Sequence, residues 1–176
     1  WFVYHVGMGN TKMVKLNQTN AEEAKAEIWN QTTPTASVFT LGTDNDANED
    51  GNSFVAYLFS DVKGYSKMGS YIGNNNANGP FVHTGFKPAW LMIKIVSGTT
   101  NNWMMYDNKR SLFNLTDDIL EANNSGAEGE GLGIDMLSNG FKIRTTAGNG
   151  TNYSGGTYIY MAFAEQPFTT STGVPA

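Results

Sequence analysis

Short runs rich in Val, Ile, Phe, Tyr and Trp recur along this chain, each closed off by Gly, Asn, Ser or Asp. They are "WFVYHV" (1–6), "SVFTL" (37–41), "SFVAYLF" (53–59), "GSYIG" (69–73), "AWLMIKI" (89–95), "WMMYD" (103–107), "FKIR" (141–144) and "TYIYMAF" (157–163). Runs of this length and composition, ended by turn formers, fit strands and are too short for most helices. The spacing predicts an all-β chain built as an antiparallel sandwich. Within it, "IDMLSNGFKIR" (134–144) reads as a hairpin, with Asn139–Gly140 supplying positive φ at its turn.

Two stretches read differently. "NAEEAKAEIWN" (20–30) holds good helix formers, with Asn20 as N-cap and Glu23 three residues on. "LTDDILEAN" (115–123) reads as a second short helix capped by Thr116 or Asp117. With one or two short helices, the expected helix content is below about 15%, against the usual third.

The runs also repeat in order. Trp1 and Tyr4 of "WFVYH" match Trp103 and Tyr106 of "WMMYD". "LNQTNAEEA" (16–24) matches "LEANNSGAE" (120–128) loosely, and Phe39 matches Phe141. "GNSFVAYLFSD" (51–61) matches "GGTYIYMAFAE" (155–165). A period of about 100 residues suits whole domains rather than solenoid units. The expected organisation is two tandem β-sandwich repeats. Residues 1–66 form the C-terminal part of a first repeat, 67–168 a complete second one, and 169–176 a tail or linker. "GSYIGNNNANGPFVHTGFKPAWLMIK" (69–94) precedes "WMMYD" and has no counterpart before "WFVYH". The first repeat is therefore expected to be completed by strands outside this sequence. A shorter, divergent first unit is the alternative.

Composition removes several classes of function. Apolar residues make up 40% and mean hydropathy is −0.35, which allows a packed core. The net charge is −5, and Lys109–Arg110 is the only adjacent basic pair, so a phosphate backbone finds no basic cluster to grip. No nucleic-acid partner is expected. The absence of Cys excludes disulfides, thiolate catalysis and Cys-based zinc sites. No run approaches 18 apolar residues, so no membrane insertion is expected.

The string "GSYIGN…GPFVHTGFKPAWLMIK…W…YD…R…L…N…AE…DMLSNGFKIR…GTYIYMAFAEQPF" resembles an uncharacterised repeat domain family of tailed phages of marine bacteria and cyanobacteria. Its members occur in large virion or tail-fibre-like proteins. The resemblance covers about residues 67–168, and residues 1–61 are similar to the later two-thirds of the same pattern. It implies a virion-associated β-sandwich, concanavalin-A-like or jelly-roll, on the particle surface. It carries no catalytic residues.

Candidate chemistry is sparse. "DNDANEDG" (44–51) places Asp44, Asp46, Asn48 and Asp50 at alternate positions, as a calcium loop would. Glu49 and Val55 stand where an EF-hand needs Gly and a carboxylate, and a solvated loop explains the same residues. Calcium is thus the one cofactor to weigh against none. Glu128 and Glu130 in "EGEGLGID" are the nearest approach to a glycosidase acid pair, but the glycines around them suit a flexible loop. His5 and His83 are the only histidines, expected as exposed strand residues, and no "GxSxG" elbow accompanies them. Trp90, Trp29 and Tyr71 are the candidate ligand-contacting residues, suited to stacking on sugar rings. In "PAWLMIK" one face carries Leu91 and Ile93, and the other Trp90, Met92 and Lys94, so each face needs a cover.

These observations lead to a non-enzymatic virion structural or host-recognition module. Its expected partners are other virion proteins, further copies of itself and a host-surface glycan. A carbohydrate-binding, lectin-like domain is the alternative, and a glycan hydrolase ranks third.

Overall fold

The computed structural model describes residues 1–146 and 148–167. In chain order its elements are β1 (Phe2–Val3), β2 (Lys12–Lys15), β3 (Glu23–Ala24), α1 (Asn45–Asn48), β4 (Ser66–Ile72), β5 (Phe81–His83), β6 (Pro88–Ser97), β7 (Met104–Asp107), β8 (Leu120–Glu121), β9 (Ile134–Leu137), β10 (Gly140–Ile143), α2 (Gly148–Thr151) and β11 (Thr157–Ala164). The chain is nearly all-β, with antiparallel sheets and almost no helix. The expected tail at 169–176 lies outside the described residues.

The strands form sheets of order β1-β2-β3, β5-β10-β9 and β4-β11-β6-β7-β8. The five-stranded sheet is the middle layer. Alternation along β6 and β11 turns Leu91, Ile93, Ile95, Tyr158, Tyr160 and Ala162 to one face, where they meet Val82, Ile134, Phe141 and Ile143 of the β5-β10-β9 sheet. Phe141 is fully buried, edge-on to Tyr71 and Tyr160 at 6.1 and 5.2 Å. Removing a side chain of that size from water stabilises the fold by about 2–3 kcal/mol.

The opposite face of the same sheet is covered by the N-terminal segment. Met92, Val96, Trp103 and Ile159 meet Val3, Met8, Val14 and Leu16 there. The Trp103 indole N–H donates to Lys15 O at 3.0 Å, and Lys94 Nζ donates to Thr19 O at 3.0 Å. The second face of "PAWLMIK" therefore finds its cover within this chain.

The predicted hairpin over 134–144 is present as β9 and β10, joined through Ser138 and Asn139. Its turn uses no positive φ at 138–140. Gly140 serves another purpose: a Cβ there would meet Val82 O at 2.1 Å, so only glycine lets β10 pair with β5.

Four expectations are overturned. The stretch 20–30 is not helical: Glu23–Ala24 pairs with β2, and turns follow it. The stretch 115–123 is not helical either, since Leu120–Glu121 pairs with β7 and Ile119 bridges to Gly129. Tertiary pairing overrides local helix propensity in both. The runs 37–41 and 53–59 form no regular strand. Their sequence counterparts, β10 and β11, are held by β4, β5 and β6. Among the described residues nothing plays those parts for 37–41 and 53–59, and an apolar run without a partner forms no ladder.

A detailed likeness links the two ends of the sheet system. Phe2 and Val3 pair with Lys15 and Val14 as Met104 and Met105 pair with Glu121 and Leu120. Leu16 N donates to Trp1 O at 3.0 Å, and Ala122 N to Trp103 O at 3.0 Å. Trp1 N donates to Asn17 Oδ1 at 3.1 Å, and Trp103 N to Asn123 Oδ1 at 2.8 Å. Met13 pairs with Glu23 as Ile119 bridges to Gly129. The match sets Asn17 against Asn123, two residues away from the alignment of "LNQTNAEEA" with "LEANNSGAE". The environments differ, however: Trp103 is 5% exposed and Trp1 61%.

Candidate functional site

An apolar groove of about 700 Å³ lies between β1 and the segment 53–59. One wall holds Trp1, Phe2 and Tyr4, the other Val55, Tyr57 and Leu58, with Trp29 and Phe39 among the remaining lining residues. β1 places the first wall because its pairing with β2 fixes the backbone that carries Trp1, Phe2 and Tyr4. Trp29 is set edge-on to Tyr4 at 5.9 Å, and its indole N–H donates to Lys12 O at 2.9 Å. Trp1 lies against Tyr57 with ring centroids 5.6 Å apart.

The second wall is unusual. Residues 53–59 are exposed along their whole length, with Tyr57 and Leu58 at 70% and 72%. Among the described residues, their backbone groups make no hydrogen bond. A β-prone apolar run with open N–H and C=O groups is a template for pairing. Asp46 is the only ionisable carboxylate in the lining. The groove can hold apolar surface and donate or accept backbone hydrogen bonds, and it has no acid–base pair.

Two buried polar groups tie the N-terminal segment to the middle sheet. His5 Nε2 lies 3.0 Å from Tyr160 O, and Gly7 N donates to His5 Nδ1 at 3.0 Å. That pattern is met by the neutral ring with its proton on Nε2. Burial pulls the imidazole below its ordinary value, against the opposing effects of the Tyr160 carbonyl and the Asp61 charge. His5 is thus a buried structural group, correcting its expected exposure, while His83 is exposed. Lys94, fully buried, gives its ammonium protons to Thr19 O, Ile95 O and Asn101 O at 3.0, 2.9 and 2.8 Å. Burial pulls it down to about 8. A lysine within an apolar strand pattern was the sequence signal for this site.

The structure does not bring the three candidate ligand contacts together. Trp29 lines the groove. Trp90 is half-buried and leans on Phe163 at 5.8 Å, in a cluster with Phe59 and Tyr65. Tyr71 is a core residue, stacked on Tyr158 at 4.9 Å with its hydroxyl donating to Thr151 O at 2.8 Å. Burial raises its hydroxyl well above the ordinary tyrosine range.

In the acidic loop, Asp44 caps α1 and accepts from Asp46 N at 3.0 Å. Lys25 Nζ lies 2.6 Å from Asp44 and 3.5 Å from Asp46. That hydrogen bond raises Lys25 and lowers Asp44. Asn48 turns its amide to Gly42 O at 2.7 Å, and Asp50 is exposed. Among the described residues no group of three or more acids and histidines converges as a metal site would require. Glu128 is paired with Arg110 at 2.9 Å. No helix among the described residues is long and apolar enough to cross a membrane.

The fold and groove together define a nearly all-β protein with an exposed apolar groove. Residues 1–167 match the model of a family described as a domain of unknown function, DUF7483, and the chain belongs to that family. No curated protein and no solved structure matches it.

Proposed function

We propose that this chain is a non-enzymatic structural and host-recognition module of a tailed-phage virion, part of a tandem array of concanavalin-A-like or jelly-roll sandwich units in a tail fibre or similar surface appendage. The observation that carries the array is the doubled hydrogen-bond set, Trp1 with Asn17 and Leu16, and Trp103 with Asn123 and Ala122. Two unrelated hairpins have no reason to share it. The phage setting rests on the resemblance of residues 67–168 described above. The non-enzymatic part is supported by the engagement of Glu128, one of the two candidate acids, with Arg110. Other virion proteins and further copies of this chain are the proposed partners.

A carbohydrate-binding role is the second reading, favoured by the exposed aromatic wall of Trp1 and Tyr57. Aromatic faces of this kind stack on apolar sugar faces. The test exposes the purified chain to marine bacterial and cyanobacterial cells and to a glycan array, with sugar release followed in parallel. Cell binding without release is expected. Release of sugar by the chain would overturn the non-enzymatic assignment.

A further inference from the structure

We propose that the groove between β1 and residues 53–59 is a strand-acceptor site, which takes one extended apolar strand with the alternation of β6, donated by polypeptide outside these residues. This rests on the two-copy reading of the chain and does not depend on the virion setting.

The occupant is identified by the chain's own second half. There, β6 lies between β7 and β11, paired to both. β1 corresponds to β7 by its hydrogen bonds, and 53–59 corresponds to β11 by sequence, each following a four-residue helix. The groove therefore lies between the counterparts of the two strands that β6 joins. In the second half Trp90, Leu91, Met92 and Ile93 face Asp107, Tyr106, Met105 and Met104 on one side. Phe163, Ala162, Met161 and Tyr160 face them on the other. Carried across, the donated strand would face His5, Tyr4, Val3 and Phe2, and then Phe59, Leu58, Tyr57 and Ala56.

The segment 53–59 offers what a pairing strand needs. The acceptor backbone at 53–59 has open donors and acceptors. Its side chains are apolar and exposed, so a strand laid beside them removes that surface from water. Main-chain pairing supplies affinity, and alternate side chains supply selectivity. β6 itself cannot be the donor, since it is the buried centre of the middle sheet. Among the described residues a folded second copy offers no free strand of that pattern.

The test uses the full chain and a synthetic peptide with the sequence of residues 86–97, flanked by lysines for solubility. A scrambled peptide of the same composition is the control. Binding is measured by fluorescence anisotropy and mapped by amide NMR shifts. The expected result is micromolar binding of the ordered peptide alone, with shifts at residues 2–5 and 54–59. Val55→Pro should weaken it by about tenfold or more, because proline removes a pairing N–H. Val55 is 67% exposed, so the substitution spares the core. Leu112→Pro, at another exposed position, should leave binding unchanged. Absent binding, equal binding of the scrambled peptide, or shifts confined elsewhere would overturn the proposal. So would self-association of the chain through this groove, which would make a second copy the occupant. A chain that binds the peptide but no cell keeps this inference and loses the host-recognition assignment.

Discussion

Trp103 and Asn123 are joined by a 2.8 Å hydrogen bond from the backbone N–H of the first to Oδ1 of the second. Asn123 also donates through Nδ2 to Asn102 Oδ1 at 2.7 Å, so its side chain holds the start of β7 from two directions. Asn123→Ala should destabilise the protein by about 1–2 kcal/mol, the cost of leaving a half-buried amide without its partner. Asn17→Ala, at the exposed counterpart, should cost less than about 0.5 kcal/mol. Urea denaturation of the two variants checks this, and equal losses would contradict it.

Trp103 also fastens the N-terminal segment to the middle sheet through its indole bond to Lys15 O. Trp103→Phe keeps an aromatic ring and removes that donor. The expected loss is about 1–2 kcal/mol, with faster hydrogen exchange at Val14 and Leu16 and unchanged protection in β10. Uniform acceleration across the chain would show that the segment does not open separately.

His5 gives the same interface a pH dependence. Its folded pKa lies below the ordinary 6.5, chiefly because it is buried. On acidification the unfolded chain takes up the proton first. The contribution of His5 is therefore complete above about 6.5 and is lost as pH falls from there through the folded value. Urea midpoints should drop between about pH 7.5 and 5.5, and His5→Gln should flatten that slope. An equal slope in the variant would remove His5 as the cause.

Lys94 is a buried ammonium held by three backbone carbonyls. Lys94→Met would leave the carbonyls of Thr19, Ile95 and Asn101 without its protons. A loss of about 1–3 kcal/mol is expected, measured by thermal unfolding. A variant as stable as the parent would show that packing alone suffices there.

The sequence made some of these features readable and concealed others. The β9–β10 hairpin and strands β6 and β11 were legible, because alternation and turn residues are local signals. The runs 37–41 and 53–59 were read as strands from composition alone, and that reading failed because a strand needs a partner, which is not a local property. Glu23–Ala24 and Leu120–Glu121 lie in good helix formers and still pair as strands, since β2 and β7 offer open edges beside them. Tyr71 and Trp90 looked alike as aromatic residues in strands. Only tertiary packing sends one into the core and leaves the other half-exposed. The groove was hidden because its walls lie some fifty residues apart in the chain.

The acidic loop yields a prediction about calcium. Lys25 already occupies the space between Asp44 and Asp46 with a positive charge. Millimolar calcium should therefore leave the unfolding temperature unchanged, and Lys25→Met should make it rise with calcium. A rise in the parent protein would assign the loop to calcium after all.

The central claim is that the two halves are copies of one unit, and that 37–41 and 53–59 lack only partner strands. A graft tests it directly. Residues 64–102 are duplicated ahead of Trp1, so that Asn102 precedes Trp1 as it precedes Trp103. Amide hydrogen exchange is then followed at 39–41 and 54–59, whose N–H groups have no partner among the described residues. Slowing by roughly 100-fold or more at both segments is the expected result, as open backbone groups enter a ladder. Exchange as fast as in the parent chain would contradict the claim.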